Sequence, residues 1–168
     1  SGGIFALGSE LAPGHEVRST TLLLRVTDDR VDLVTGFDDN VGRQVHGARL
    51  RYIERQLLTE QVTGHHTFDA LRKATVDWNY AFAAANLDDP DRREYFYFGS
   101  FDRGNAAGPY ALGQEPERLY TVLEDRVHDI KLAYAQPFGI WSGLEAKAKL
   151  GASLIFRDRE SDIRRYRV

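Results

Sequence analysis

Between residues 74 and 86 large apolar side chains recur at every second position. Val76, Trp78, Tyr80, Phe82 and Ala84 fall on one parity, while Thr75, Asp77, Asn79, Ala81 and Ala83 fall on the other. Successive strand residues point to opposite faces, whereas on a helix these side chains would be smeared around the axis. The spacing therefore predicts a strand. The pattern returns over 127–136, where His128, Ile130, Leu132 and Tyr134 oppose Asp129, Lys131, Ala133 and Ala135. It returns again over 144–158, where Ala146, Ala148, Leu150, Ala152, Leu154 and Phe156 oppose Glu145, Lys147, Lys149, Gly151, Ser153 and Arg157, with Ile155 as the exception. Residues 145–150 alone also suit an Ala/Lys/Leu helix, but Gly151 and the length of the alternation favour a strand. Weaker β patterns cover 16–26, blurred at Leu22-Leu23-Leu24, and 45–68; the end of one more strand falls in 4–11. The expectation is about six strands.

The connections alternate in length. Leu11 to His15, Asp69 to Lys73 and Pro137 to Gly143 are short and hold turn chemistry or a polar break. Between them lie longer polar links over Asp28 to Gln44, Leu87 to Arg126 and Arg157 to the end. A meander with tight turns at one end and long loops at the other is the layout of an outer-membrane barrel.

Composition narrows the classes. The chain has 168 residues, no cysteine, no methionine and a formal net charge of −3. Disulfide scaffolds, thiolate metal sites and cysteine nucleophiles are excluded, and the missing basic excess argues against a dedicated nucleic-acid binder. A charged fraction of 28% with 11% aromatics is too rich in core formers for a disordered tail. No run approaches the ~18 apolar residues of a membrane helix. The start at Ser1-Gly2-Gly3, with no signal peptide, suggests a processed or excised piece.

Strand length and face chemistry bear on which solvent meets the apolar parity. Crossing a bilayer takes ~9–11 strand residues, whereas soluble strands run ~5–6; the three clear segments meet the longer figure. Their second face carries Asp77, Asn79, Asp129, Lys131, Lys147 and Lys149 amid small residues, which suits a wet interior. Phe68, Trp78, Tyr134, Phe138 and Trp141 lie near the short turns, and Tyr95, Phe96, Tyr97 and Phe98 on the long-loop side, like two interfacial girdles.

Three stretches resemble barrel segments of TonB-dependent outer-membrane receptors. They are Val34-Thr35-Gly36-Phe37-Asp38-Asp39-Asn40-Val41-Gly42 leading into Arg49 to Leu58, Val76-Asp77-Trp78 followed by Asp88 to Tyr95, and the alternating strand 144–156 ending in Arg157-Asp158-Arg159. The resemblance runs from about residue 15 onward and rests on wall motifs, which carry no ligand signature. It implies residence in the outer membrane of a Gram-negative bacterium, contact with outer-membrane lipid, and, in the complete receptor, a plug domain and TonB as partners. That family has a 22-stranded barrel, and this chain has room for about six strands. No plug-like segment, TonB-binding motif or barrel-closing strand is found; Arg164-Arg165-Tyr166-Arg167-Val168 runs through a polar stretch.

Candidate chemistry is sparse. His65 and His66 are adjacent, so a strand would turn them to opposite faces and keep them from sharing one ion; His15, His46 and His128 lack ligand spacing. Asp28-Asp29, Asp38-Asp39-Asn40 and Asp88-Asp89-Pro90-Asp91 are oxygen-rich, but none follows the calcium-loop spacing. They read as solvated loops and strand ends, with Pro90 stopping pairing. Arg157, Arg159, Arg164, Arg165 and Arg167 interleave with Asp158, Glu160 and Asp162, which reads as an exposed, paired strand extension whose outward arginines also suit lipopolysaccharide phosphates. Asp102 to Pro109 reads as a flexible loop without phosphate-binding glycine spacing, and no Gly-x-Ser-x-Gly elbow is present. No catalytic, cofactor-binding or metal-binding residue is assigned.

The reading is an all-β antiparallel meander over residues 1–168, a single segment of a transmembrane barrel, non-enzymatic, within a receptor that imports a metal chelate, vitamin or saccharide. The alternative is a soluble β-barrel or sandwich binding a small apolar ligand in its core. A β-rich hydrolase fragment has only generic carboxylates in its favour.

Overall fold

The computed structural model describes residues 1–40, 42–99, 110–139 and 145–167. Six strands form one antiparallel sheet in sequence order: β1 (Gly2–Ala12), β2 (His15–Asp38), β3 (Arg43–Phe68), β4 (Ala74–Phe98), β5 (Ala111–Gly139) and β6 (Glu145–Arg167). The strands at the two ends of that order are not paired with each other, so the sheet is not closed. The chain divides into two compact units. The first holds Ser1–Arg25, Gln56–Ala85 and Glu124–Arg159; the second holds Val26–Arg55, Asn86–Leu123 and Glu160–Val168.

The alternation predicted for 74–86, 127–136 and, from Glu145 on, 144–158 is strand in every case among the described residues, including the stretch that also suited a helix. The long polar links are corrected. Most of 28–44, 87–126 and 157–168 is strand, because β2 runs to Asp38, β4 to Phe98, β5 starts at Ala111 and β6 reaches Arg167. These stretches lack one apolar parity, but their charges find partners across the ladder, as in Arg49–Glu94 at 2.8 Å and Arg118–Asp91 at 2.6 Å. Cross-strand ion pairs do there what apolar contacts do elsewhere. The β2–β3 connection is a tight turn in which Asp38 accepts the Gly42 N–H on its carbonyl and the Asn40 N–H on its carboxylate. Residues 102–109 and Trp141 lie outside the described residues.

Cross-strand contacts fix the two faces. On one, the aromatic face, Trp78 meets His66, Tyr80 and Phe82 meet His128, and Ser19 and Thr21 meet Glu60. On the other, the polar face, His65 meets Asp77, Gln61 meets Asn79, and Arg157 meets Asp125. The β1–β2 register adds Phe5 and Leu7, opposite Thr21 and Ser19, to the aromatic face. Ile4 and Leu22 pair on the polar face, which accounts for the blurred alternation at Leu22-Leu23-Leu24.

Pro90 does not stop pairing, contrary to the sequence reading: it lies inside β4, next to Asp91 at φ 67°. Before this point same-face partners of β4 sum to even numbers (77 with 65, 82 with 128); after it the sums are odd (94 with 49, 91 with 118). One extra residue in β4, a β-bulge, explains the change, and bulges are where proline is tolerated inside sheets. The bulge turns Phe96 and Phe98 onto the polar face, where they lie over Gly47 and Gly113. The expected girdle at Tyr95-Phe96-Tyr97-Phe98 is therefore split between faces.

Candidate functional site

In the first unit the aromatic face carries a bounded apolar band. It covers 3–11, 15–23, 58–68, 74–84, 128–138 and 146–156, about ten residues per strand, and includes Leu7, Leu58, Trp78, Leu132 and Leu150. Its side chains are open to solvent: Phe5 is 64% and Leu150 76% exposed. Lysine and arginine are absent from its aromatic-face positions. Immediately past it, within the same unit, the same parity turns charged, at Arg25, Arg126 and Asp158. Phe68, Trp78 and Tyr134 stand toward the turn end of the band, and Phe5, Phe82 and Phe156 toward the charged end.

Several polar groups within the band are paired. Glu60 accepts hydrogen bonds from the Ser19 hydroxyl at 2.6 Å and from the Thr21 hydroxyl. Trp78 Nε1–H donates to His66 Nε2 at 3.0 Å, and His66 Nδ1 lies 3.1 Å from His15 Nδ1. The indole can only donate, so neutral His66 carries its proton on Nδ1 and gives it to His15. The Tyr80 hydroxyl lies 3.0 Å from His128 Nδ1. His65, on the opposite face, pairs with Asp77 at 2.5 Å. The two adjacent histidines thus point apart, as alternation requires. His46 meets Thr35 at 3.1 Å. Among the described residues no three His, Cys, Asp or Glu side chains converge to hold a metal ion.

The polar face of the same unit has a hollow of about 670 Å³. Its floor is small, at Ala133 and Gly151, and Arg18, His65, Asp77 and Lys131 stand around it. Mixed charge over a small-residue floor offers hydrogen bonds of both senses to a polar occupant; no nucleophile–base–orienter geometry is assembled with it.

In the second unit both faces are lined by ion pairs. On the polar face Arg51 Nε holds Asp89 at 3.0 Å, Glu94 sits between Arg49 and Arg92, and Arg165 and Arg167 approach Glu117. Asp89 is only 3% exposed, and its Oδ1 is buried without a hydrogen-bond partner. Burial pushes the Glu94 carboxyl up, but hydrogen bonds from Arg92 and Arg49 outweigh it and leave the group below its ordinary value. On the aromatic face Arg118 makes two hydrogen bonds to Asp91, at 2.6 and 2.7 Å, and Arg93 joins them. The two guanidiniums, Arg118 foremost, hold the Asp91 carboxyl well below the usual carboxylate range.

The aspartates read as loops are therefore structural. Asp28 and Asp29 lie in β2, Asp38 closes a turn, and Asp88, Asp89 and Asp91 lie in β4. The arginine-rich end is a paired strand extension, as expected: Arg157 meets Asp125 and Arg164 meets Asp162. Sequence reasoning missed the Asp91–Arg118 pair and its neighbour Tyr120. Their partners are 27 and 29 residues apart, across a stretch read as a link. Pro90 before Asp91 was the one local sign of irregular pairing. Compared with protein-family models and with curated proteins, the chain has no match.

Proposed function

We propose that the chain is part of the wall of a transmembrane β-barrel in a bacterial outer membrane, and that the whole protein is a TonB-dependent receptor importing a metal chelate, vitamin or saccharide. The carrying observation is the apolar band. Its length of about ten residues per strand matches the ~9–11 that cross a bilayer. Its aromatic edges and abrupt charged limit match the outward belt of such barrels. The polar face then lines water, and its hollow lies on the ligand's path. The narrower identification rests on the resemblance of residues 34–58, 76–95 and 144–159 to receptor barrel segments.

Collision measurements on spin labels test the reading in the whole receptor reconstituted in lipid. The chain has no cysteine of its own, so Leu132→Cys and Ala133→Cys place labels on opposite faces of β5. A label at 132 should collide with dissolved oxygen and be shielded from a water-soluble nickel chelate; a label at 133 should show the reverse. A soluble sandwich would shield position 132 from both, and that result overturns the membrane reading. Nutrient uptake that persists in cells lacking TonB would overturn the receptor class alone.

A further inference from the structure

We infer that the notch between Tyr120 on β5 and Tyr166 on β6 binds a saccharide. The notch lies on the aromatic face of the second unit, away from the polar face assigned to transport, so it is a second site. It has a volume of about 470 Å³ and is lined by Tyr120, Val122, Asp162, Arg164 and Tyr166. The tyrosine rings meet edge to face, centroids 5.6 Å apart at 84°, and both line the notch. The Arg118 guanidinium sits 5.8 Å from the Tyr120 ring centroid and is held by Asp91. Arg164 is held by Asp162 at 2.7 Å.

The electrostatics choose between ligand classes. Each arginine has five N–H donors in a fixed fork and already holds a carboxylate, Arg93 sharing Asp91 with Arg118, so each guanidinium at the notch is already paired. A phosphate would have to displace Asp91 or Asp162, or lie against it. A hydrocarbon chain would leave the ion pairs without use. A sugar hydroxyl donates and accepts at once, and so satisfies a carboxylate oxygen and a remaining guanidinium N–H together. The C–H face of a pyranose ring packs on a tyrosine ring, while the Tyr120 hydroxyl stays turned to Asp91. Flat aromatic surface beside paired donors and acceptors in a shallow, wet notch is the recognition chemistry of a glycan.

The whole receptor, purified in detergent, is titrated calorimetrically with core oligosaccharide freed from its lipid by mild acid, and separately with inorganic phosphate. The same glycan still attached to its lipid is presented in nanodiscs. Binding of the free or the tethered glycan supports the inference, and the two arms separate a soluble from a membrane-borne source. Tyr120→Ala and Tyr166→Ala should each weaken binding about tenfold or more, whereas Tyr166→Phe, which keeps the ring, should cost less than about threefold. Tyr134→Ala, in the first unit, should leave affinity unchanged. No glycan binding in either arm, binding indifferent to both alanine variants, or phosphate competing as well as the glycan would overturn it. Heat-modifiable gel mobility confirms that each variant is a folded barrel.

Discussion

On β5, Ile130, Leu132 and Tyr134 belong to one unit and Arg118, Tyr120 and Val122 to the other, and the two groups live under different rules. The first, in one compact unit, is apolar, exposed and flanked by further apolar residues on β4 and β6. The second, in the other unit, is woven into ion pairs with Asp91 and Asp162 as neighbours. Both are regular strand, so backbone geometry does not distinguish them. What differs is the environment each presupposes. An uncapped apolar face demands an apolar surrounding, since roughly 25 cal/mol is at stake for every Å² left in water. A face of paired charges demands water, because the pairs gain little once desolvated.

The sharpest test of that contrast is Leu132→Arg against Ala133→Arg, adjacent positions on opposite faces. In lipid the first should cost roughly 2–4 kcal/mol near the bilayer midplane. The second should cost much less, as read from denaturant titration of the reconstituted receptor. Leu132→Phe separates lipid from protein as the surrounding, since a packed core loses ~1–3 kcal/mol on overpacking and lipid does not. Equal arginine penalties would erase the distinction between faces.

Glycine-to-alanine substitutions probe both units. A Cβ at Gly64 would lie 2.2 Å from Trp78 Nε1, and one at Gly113 would lie 2.6 Å from Phe98. Each ring covers a glycine on the neighbouring strand, a device that shields backbone left bare by the missing side chain. Either substitution should destabilise by about 1–3 kcal/mol. Only Gly64→Ala should also shift Trp78 fluorescence, because it breaks the indole hydrogen bond to His66.

The second unit should answer to acid. Arg118 and Arg93 depress the folded-state pKa of Asp91, so its stabilising contribution is present above the unfolded carboxylate value of about 3.9. It is lost as pH falls below about 4 and through the folded value. Hydrogen exchange at β5 amides near Arg118 should quicken in that range, and Arg118→Gln should shrink the acid-dependent change. At neutral pH the substitution should cost little, since the pair is open to solvent. The smallest expected effect is that of salt. Raising ionic strength should loosen the ion-paired unit slightly and affect the other unit, which has fewer ion pairs, less, by the same exchange measurement.

The apolar unit was legible in the sequence because its signal is local: one residue predicts the next but one, as in Val76-Asp77-Trp78-Asn79-Tyr80. The ion-paired unit was not, because its order resides in partners far apart, Asp91 with Arg118 or Glu117 with Arg165. A strand whose two faces are both charged carries no alternation to read, so 28–38 and 111–126 looked like links. The opposed directions of His65 and His66 were foreseeable from adjacency alone. The saccharide notch was not, because Tyr120 and Tyr166 meet only once β5 and β6 are both extended.

Asp91 acts on β4 much as an inserted nucleotide acts on a reading frame. Upstream, even-numbered residues such as Phe82 face with Trp78; downstream, even-numbered residues such as Glu94 and Phe96 face with Asp77. Removing that one residue would let Pro90 run on to Arg92 in plain alternation, so that everything from Arg92 to Phe98 keeps its face. Phe96 and Phe98 would still cover Gly47 and Gly113, and Glu94 would stay beside Arg49. A deletion at residue 91 should therefore cost little beyond the pair with Arg118, whereas straightening β4 with Asp91 retained would turn over the whole stretch that follows. Suppression of that kind, familiar from coding sequences, would here be written in the pleat of a strand.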